Sequence, residues 1–407
     1  MNKIAVMGYG IVGSGVVEVF YNNRENIEKK AGDELDIKYI LDLRDFEDSP
    51  YRDKFIKSFE PIINDDEVGI VAEVMGGINP SYDYVKRCLM AGKSVVTSNK
   101  ELVAQKGAEL LRIATENNVN FLFEASVGGG IPVIRPIAQC LSANNITEIF
   151  GILNGTTNFM LTKMINEGMS YETALKLAQD LGYAESNPSA DVDGHDSCRK
   201  ICILSALSFG KHVYPQQVST EGISGITLKD AEYAGKLECV IKLIAHAKHL
   251  DDGRITASVY PAMVPKSSQL SSVDDVFNAV LVKGDAVGDV VFYGRGAGKL
   301  PTASAVAADI IDCAKHVTAR KNLSWEDGES DYVDDPKKQA YSFFVLKKPA
   351  DIKNAVLKLN AAIPGVRVIN DSNELAFITP IMSEYEVNEK LALLGEKVVS
   401  KIRILSE

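Results

Sequence analysis

Residues 3–13 read Lys3-Ile4-Ala5-Val6-Met7-Gly8-Tyr9-Gly10-Ile11-Val12-Gly13. The apolar run Ile4 to Met7 predicts a strand and Val16 to Phe20 a helix, so the three glycines fall where a strand turns into a helix. Each has a distinct duty there. Gly8 permits the tight turn, Gly10 lets a pyrophosphate approach the backbone, and Gly13 lets helix and strand pack closely, while the helix N-terminus faces the phosphate charge. A glycine-rich turn without ligand is the bland alternative. Placement at residue eight, at the head of a repeated strand–helix pattern, favours dinucleotide binding.

That pattern extends outward through the first third of the chain. Lys3 to Met7, Ile37 to Leu41, Gly69 to Val74, Ser94 to Thr97 and Asn120 to Glu124 are predicted strands; Tyr82 to Ala91 and Glu101 to Asn117 are predicted helices. Parallel strands need crossover connections, and helices supply them. From about Ile131 to Ala297 the helices lengthen, Tyr171 to Leu181 and Gly194 to Phe209, among strands Ile146 to Leu153, Ala257 to Pro261 and Val276 to Val282. A helix over Thr302 to Ala319 precedes a charged segment, Arg320 to Lys338, that reads as a linker. Beyond it come strand Tyr341 to Leu346, helix Ala350 to Asn360, strands Val366 to Asn370 and Glu374 to Thr379 joined by Asp371-Ser372-Asn373, helix Glu384 to Lys397, and strand Lys401 to Leu405. The predicted fold class is α/β: a Rossmann-type doubly wound parallel sheet, a second α/β catalytic domain, and a C-terminal ferredoxin-like βαββαβ domain. The expected domains are 1–132 with a return segment 299–320, then 133–298 for substrate and dimerisation, a linker 321–338, and 339–407.

The chain has 407 residues with a net charge of −11, and 46% of it is hydrophobic. Such a composition is globular. An acidic surface without a basic patch argues against nucleic acid and membrane partners. No apolar stretch approaches the roughly 18 residues needed to cross a bilayer. No export signal is read at Met1-Asn2-Lys3, so a cytoplasmic location is expected. Cys88, Cys140, Cys198, Cys202, Cys239 and Cys313 are scattered, which fits free thiols rather than a disulfide framework.

Four groups of residues carry possible chemistry. The end of the second strand holds Asp42, suited to the ribose hydroxyls of NAD, and Arg44, suited to the extra phosphate of NADP. Asp42 lies 29 residues past Gly13, beyond the usual spacing of about 20, and the reading leans to NADP through Arg44. Lys100 follows Thr97-Ser98-Asn99 at the carboxyl edge of the sheet, where open α/β sheets place their ligands. Lys200 lies four residues after Asp196, on the same face of a predicted helix that turns almost wholly apolar. An exposed Asp/Lys pair at this spacing is usually only a solvated pair. The apolar run and the nearby Glu185, Asp191 and Asp193 instead suit recognition of an ammonium and transfer of a hydroxyl proton. Finally, Glu124 to Pro132 leaves a strand into a glycine-rich loop whose carbonyls could surround a hard cation, a plain flexible turn being the alternative. His195-x-x-Cys198-x-x-x-Cys202 and His246-x-x-His249 lack a closed ligand set and are not read as metal sites.

Taken together, Gly8 to Gly15, Thr97 to Lys100, Glu124 to Pro132, Leu153-Asn154-Gly155-Thr156-Thr157-Asn158-Phe159, Gly182 to Glu185, Asp191 to Asp196 and Lys200 resemble homoserine dehydrogenase in its monofunctional form with a C-terminal ACT domain. The resemblance covers nearly the whole chain. It implies NAD(P)-dependent interconversion of L-homoserine and L-aspartate 4-semialdehyde, on the route to threonine, methionine and isoleucine. It implies Lys200 as acid/base and Lys100 near the same substrate oxygen and the nicotinamide, with Glu185, Asp191, Asp196, Gly182 and Thr156 holding the amino acid. The implied cofactor set is Gly8, Gly10, Ile11, Val12, Gly13, Arg44, Thr97, Ser98, Lys100 and Gly296. A sodium-like ion is implied on the carbonyls of Glu124, Val127, Gly129 and Ile131. L-Threonine is a candidate effector of the C-terminal domain, a domain that mainly helps oligomerise being the alternative, and a homodimer or homotetramer is the expected assembly. Two departures stand out: Asn187 replaces a usual aspartate before Pro188, and Lys347-Lys348-Pro349-Ala350-Asp351-Ile352 lacks the glycine common at the first turn of ACT domains. The competing readings are another NAD(P)-dependent dehydrogenase of a small polar metabolite and a non-catalytic amino-acid or dinucleotide sensor. A sensor has no need of Lys200 beside a nicotinamide site.

Overall fold

In the computed structural model the β-branched runs become strands and the stretches between them helices, described over residues 3–316, 323–328, 332–370, 372–395 and 397–406. The chain divides into two compact units: Met1–Ile149, Arg199–Gln217 and Val280–Ser330 form the first, and Phe150–Cys198, Val218–Ala279 and Asp331–Glu407 the second.

The first part of the chain runs β1 (Lys3–Met7), α1 (Ile11–Asn22), α2 (Arg24–Ala31), β2 (Asp36–Leu41), β3 (Phe55–Ile56), α3 (Glu60–Ile63), β4 (Val68–Glu73), α4 (Ser81–Met90), β5 (Ser94–Thr97), α5 (Lys100–Glu116) and β6 (Phe121–Leu122). The strands form one parallel sheet in the order β3-β2-β1-β4-β5-β6. This is the order of a doubly wound dinucleotide-binding sheet, whose ligands sit beyond the carboxyl ends of the strands where the order reverses, here beside β1. The predicted strand Asn120 to Glu124 is shorter, because Glu124 opens a tight turn and its carboxylate bonds backbone N–H groups further on.

The chain continues with β7 (Ile146–Ile152), α6 (Gly155–Glu167), α7 (Tyr171–Asp180), α8 (Ser189–Val192), α9 (His195–Phe209), β8 (Ser219–Thr220), α10 (Leu228–Lys236), β9 (Cys239–His249), β10 (Ile255–Pro265), β11 (Phe277–Gly284), β12 (Gly288–Arg295) and α11 (Lys299–Lys315). α11 returns to the first unit: Ala303, Val306 and Ile310 pack with Val16, Phe20 and the sheet residues Ile4, Val6, Ile70 and Val96. Burying such side chains stabilises by roughly 1.5–3 kcal/mol each.

The last stretch is β13 (Ala340–Lys347), α12 (Ile352–Ala362), β14 (Arg367–Asn370), β15 (Leu375–Ile378), β16 (Met382–Ser383), α13 (Glu384–Leu393) and β17 (Val398–Ile404). The second sheet is mixed. It runs β11-β7-β9-β10-β17-β13-β15-β14, with β12 flanking β11, β8 on β10 and β16 on β13. Phe343, Val345, Leu375 and Phe377 from this sheet meet Leu359 of α12 and Val387 and Leu391 of α13 in a separate core. One edge of β17 is already taken, since Ala262 and Met263 of β10 pair with Arg403 and Ile404.

Of the segment expected as a linker, residues 323–328 pack within the first unit. Trp325 is buried, lies edge-on to Phe123, and donates its indole N–H to His212 Nδ1 at 2.8 Å. Gly107 makes room for that ring, because a Cβ there would lie 2.6 Å from it. Residues 317–322 and 329–331 of the predicted helix end and linker, and Asp371 of the predicted hairpin turn, lie outside the described residues. Among the described residues the cysteines form no disulfide. Among the described residues no helix is long and apolar enough to cross a membrane.

Candidate active site

The turn after β1 is shaped by what a side chain would strike. Gly8 has a left-handed backbone, φ 99°, and a Cβ on Gly13 would lie 1.9 Å from the Gly8 carbonyl oxygen. A Cβ on Gly10 would meet nothing within 4 Å. Gly10 is also the N-cap of α1, whose first turn carries neither a capping side chain nor an acid. Open backbone at a positive helix end is a cradle for phosphate. Beside it lies a cavity of about 380 Å³ lined by Gly8, Gly10, Asp42, Arg44, Lys57, Met75 and Tyr84 among others.

In the lining of that cavity Asp42 accepts the Tyr9 N–H at 2.8 Å and the Arg44 guanidinium through Nε at 3.0 Å and Nη2 at 2.9 Å. The guanidinium holds the Asp42 carboxyl well below the usual carboxylate range. Arg44 lies 5.2 Å from the Phe46 ring centroid and is 62% exposed, so its charge faces outward. Lys57 donates to the carbonyls of Leu43 at 3.2 Å and Arg44 at 2.6 Å and pairs with Asp45 at 2.8 Å. Two cations therefore line the cavity, Arg44 from the loop after β2 and Lys57 from the residue after β3, its ammonium set on that loop's carbonyls.

β4 and β5 end in a buried network. The fully buried Glu73 carboxylate accepts the Thr97 hydroxyl at 2.6 Å and the Met75 and Gly76 N–H groups at 2.9 and 3.3 Å, and burial pushes its carboxyl up. Thr97 Oγ1 in turn accepts the Asn99 N–H at 2.9 Å, and the Asn99 amide donates to the Gly77 carbonyl at 2.7 Å. Asn99 also caps α5 by accepting the Leu102 N–H, so Lys100, the first residue of that helix, leaves a turn fixed on both sides.

The glycine-rich loop after β6 is pinned from within. The Glu124 carboxylate accepts the N–H groups of Val133, Ile134 and Arg135 at 2.6, 2.9 and 2.8 Å. Asp309 of α11 accepts the Glu124 N–H at 2.9 Å and pairs with Arg135. Burial and the nearby Glu124 charge push Asp309 up to about 7, against the pull of Arg135. The glycines allow close approach: a Cβ on Gly129 would lie 2.3 Å from the Gly296 oxygen, and the Gly130 N–H donates to Arg295.

In the second unit a different kind of cluster forms around the end of β7. Asn154 caps α6, its Oδ1 accepting the Thr157 N–H at 2.8 Å, and its amide nitrogen donates to Asp191 at 2.7 Å and Asp196 at 3.0 Å. The Thr156 hydroxyl donates to the Tyr183 carbonyl at 2.6 Å. Gly194, φ 84°, turns the chain between α8 and α9, where a Cβ would press on Thr220 and Val259. α9 then carries Asp196 and Lys200 one turn apart, both buried.

Two family models match the chain, one described as the NAD binding domain of homoserine dehydrogenase over residues 8–124 and one as homoserine dehydrogenase over residues 132–311. The homoserine dehydrogenase of Lactococcus lactis is 42% identical over 318 residues, which are 77% of this chain and 74% of that one. The chain belongs to the homoserine dehydrogenase family. The solved homoserine dehydrogenase from Thiobacillus denitrificans matches 100% of this chain and 98% of its own, with a TM-score of 0.88 and 33% identity. A hyperthermophilic archaeal homoserine dehydrogenase in complex with NADPH matches 77% of this chain and 97% of its own, with a TM-score of 0.64 and 29% identity. As a homoserine dehydrogenase the chain is an NAD(P)-dependent oxidoreductase that interconverts L-homoserine and L-aspartate 4-semialdehyde.

Within this homoserine dehydrogenase the structure brings Gly8, Gly10 and Arg44 to one cavity and sets Ile11, Val12 and Gly13 in the first turn of α1. Thr97 is buried, and Ser98 sits in the turn before Lys100. Thr156 and the pair Asp191 and Asp196 sit around Asn154. Gly182, φ 75°, ends α7, and Glu185 is exposed, its carbonyl accepting from Gln179. His246 lies flat on Phe150 and bonds the Tyr260 hydroxyl at 3.2 Å. Four participants escape the sequence reading: Lys57, Glu73, Asn154 as a bridge, and Asp309. Only Asn154 lies in a quoted motif, and its two bonds span 37 and 42 residues.

Proposed function

We propose that Lys200 moves the proton in this reaction, with Lys100 beside the same substrate oxygen, and that Asp191, Asp196, Glu185, Thr156 and Gly182 hold the amino acid. When bound, the dinucleotide takes up or supplies the hydride. In oxidation the neutral Lys200 amine accepts the proton of the homoserine hydroxyl as the carbon bearing it loses hydride. In reduction the Lys200 ammonium stabilises the alkoxide and returns that proton. The carboxylates balance the substrate ammonium. The observation that carries this reading is α9, which sets buried Asp196 and buried Lys200 one turn apart. Lys200→Ala is expected to lower kcat about a thousandfold while leaving the NADP Kd nearly unchanged. Wild-type turnover in the folded variant would remove Lys200 from the mechanism.

NADP is the preferred cofactor in this proposal. The cationic lining of Arg44 and Lys57 supports it, since paired cations suit an additional phosphate, as does the NADPH held by the archaeal relative. Asp42, the acid that would take the ribose hydroxyls of NAD, is engaged by Arg44 and Tyr9. Thr97, Ser98, Lys100 and Gly296 complete the cofactor set with Gly8 to Gly13.

A sodium-like ion fits the loop from Glu124 to Ile131. The Glu124 carboxylate, bonded to the N–H groups of Val133, Ile134 and Arg135, steadies the loop that carries the carbonyls of Glu124, Val127, Gly129 and Ile131. A set of neutral oxygens is what a hard cation takes. The C-terminal order βαββαβ with strands β17-β13-β15-β14 supports a ferredoxin-like ACT domain. We extend the proposal to L-threonine as its effector, a homodimer or homotetramer, a cytoplasmic location, and a place in threonine, methionine and isoleucine biosynthesis.

A further inference from the structure

We infer that Asn154 is a positioning residue for the reaction: its amide bridges Asp191 and Asp196 and holds both carboxylates aimed for the substrate. The inference rests on the proposed role of those two aspartates. Asn154 follows β7, is buried, and has extended backbone angles, φ −126° and ψ 116°, as the N-cap of α6. Its Oδ1 accepts both the Thr157 N–H at 2.8 Å and the Thr157 hydroxyl at 3.0 Å. That assignment fixes the amide orientation by chemistry. With the oxygen committed to the helix N-terminus, the nitrogen must face Asp191 Oδ1 at 2.7 Å and Asp196 Oδ2 at 3.0 Å. The opposite orientation would set an amide oxygen against two carboxylates and a donor against an N–H.

The bridge solves an electrostatic problem. Two carboxylates sharing one partly buried site raise each other's pKa, and one of them tends to hold a proton. Each N–H of the amide meets a different carboxylate, so each charge gains a donor and the two groups are held in a set relation. The same side chain ties three elements together: the end of β7, α8 with Asp191, and the first turn of α9 with Asp196. The cap on α6 sets the height of the bridge.

Capping and bridging can be separated experimentally. Asn154→Asp keeps an oxygen that caps α6, since aspartate is a good N-cap, but it cannot donate, and it adds a third carboxylate. KM for L-homoserine is expected to rise about tenfold to a hundredfold. The acid limb of the kcat/KM profile should move up by about one pH unit, with the NADP Kd close to wild type. Asn154→Ser, which caps but offers one donor in place of two, should fall between and serves if Asn154→Asp fails to fold. A homoserine KM and acid limb matching wild type in the folded variant would overturn the inference. Asp196→Asn tells the two levels apart. If that variant raises the homoserine KM and Asn154→Asp does not, the bridge is wrong; if neither does, the role of the aspartates has failed.

Discussion

At the end of β1 the geometry is set by atoms that are missing: a Cβ on Gly13 would overlap the Gly8 oxygen, while one on Gly10 would meet nothing. At the end of β7 it is set by atoms that are present, the Asn154 amide reaching two aspartates far along the chain. The first site is backbone and the second is side chain. The difference follows from their ligands. A pyrophosphate is recognised by N–H groups and a helix end, which every sequence has and only bulk can obstruct. An amino acid with an ammonium and a hydroxyl needs charged side chains held in a set relation. The cradle should therefore fail when something is added, and the carboxylate cluster when a donor is removed.

The largest effect should come from adding one methyl to the cradle. Gly13→Ala forces a Cβ to 1.9 Å from a backbone oxygen, which cannot move without shifting the turn. Isothermal titration should show NADP binding weakened by about a hundredfold. Binding within a few-fold of wild type would mean that the turn yields and that its glycines are not what shapes it.

A smaller effect separates the two units by pH. Asp309 in the first unit is held up to about 7 from its ordinary 3.8, so between those values the folded chain keeps a proton that the unfolded chain has lost. Its contribution to stability falls as pH rises across that window. Glu384 in the second unit, despite burial, is held below its ordinary 4.5 by Lys401 and Arg403, so its contribution is present above that value and lost as pH falls below it. Melting curves taken from about pH 3 to about pH 8 should lose their upper slope in Asp309→Asn and their lower slope in Glu384→Gln. A change of the same slope in both variants would contradict the assigned directions.

Much of the fold was legible because its signals are local. β1 and β5 begin and end where the alternation places them, and the C-terminal order βαββαβ follows from apolar runs and a polar hairpin. β9 was not legible. Lys242 lies buried in its middle, bonded to Asn158 and Asp274, and breaks the apolar pattern that marks a core strand. α6 was hidden by an opening of Gly155, Thr156 and Thr157, poor helix formers whose start depends on the Asn154 cap. β12 was hidden for the opposite reason: it is largely exposed and shows only weak alternation. The cradle glycines could be read from spacing alone. The bridge could not, because 37 and 42 residues separate its partners and only packing brings them together. Lys57 and Asp309 carry no motif, and their roles arise from carbonyls and N–H groups they meet after folding. Trp325 shows the same limit, since a charged sequence around it reads as a tether while its ring is locked against His212 and Phe123.

The most direct measurement is L-homoserine-dependent reduction of NADP and of NAD at alkaline pH, by the purified protein and by Arg44→Ala. The account predicts turnover that requires L-homoserine and is faster with NADP, with the preference for NADP lowered about tenfold or more in the variant. No turnover with either cofactor, in a folded sample that still binds dinucleotide, would contradict it.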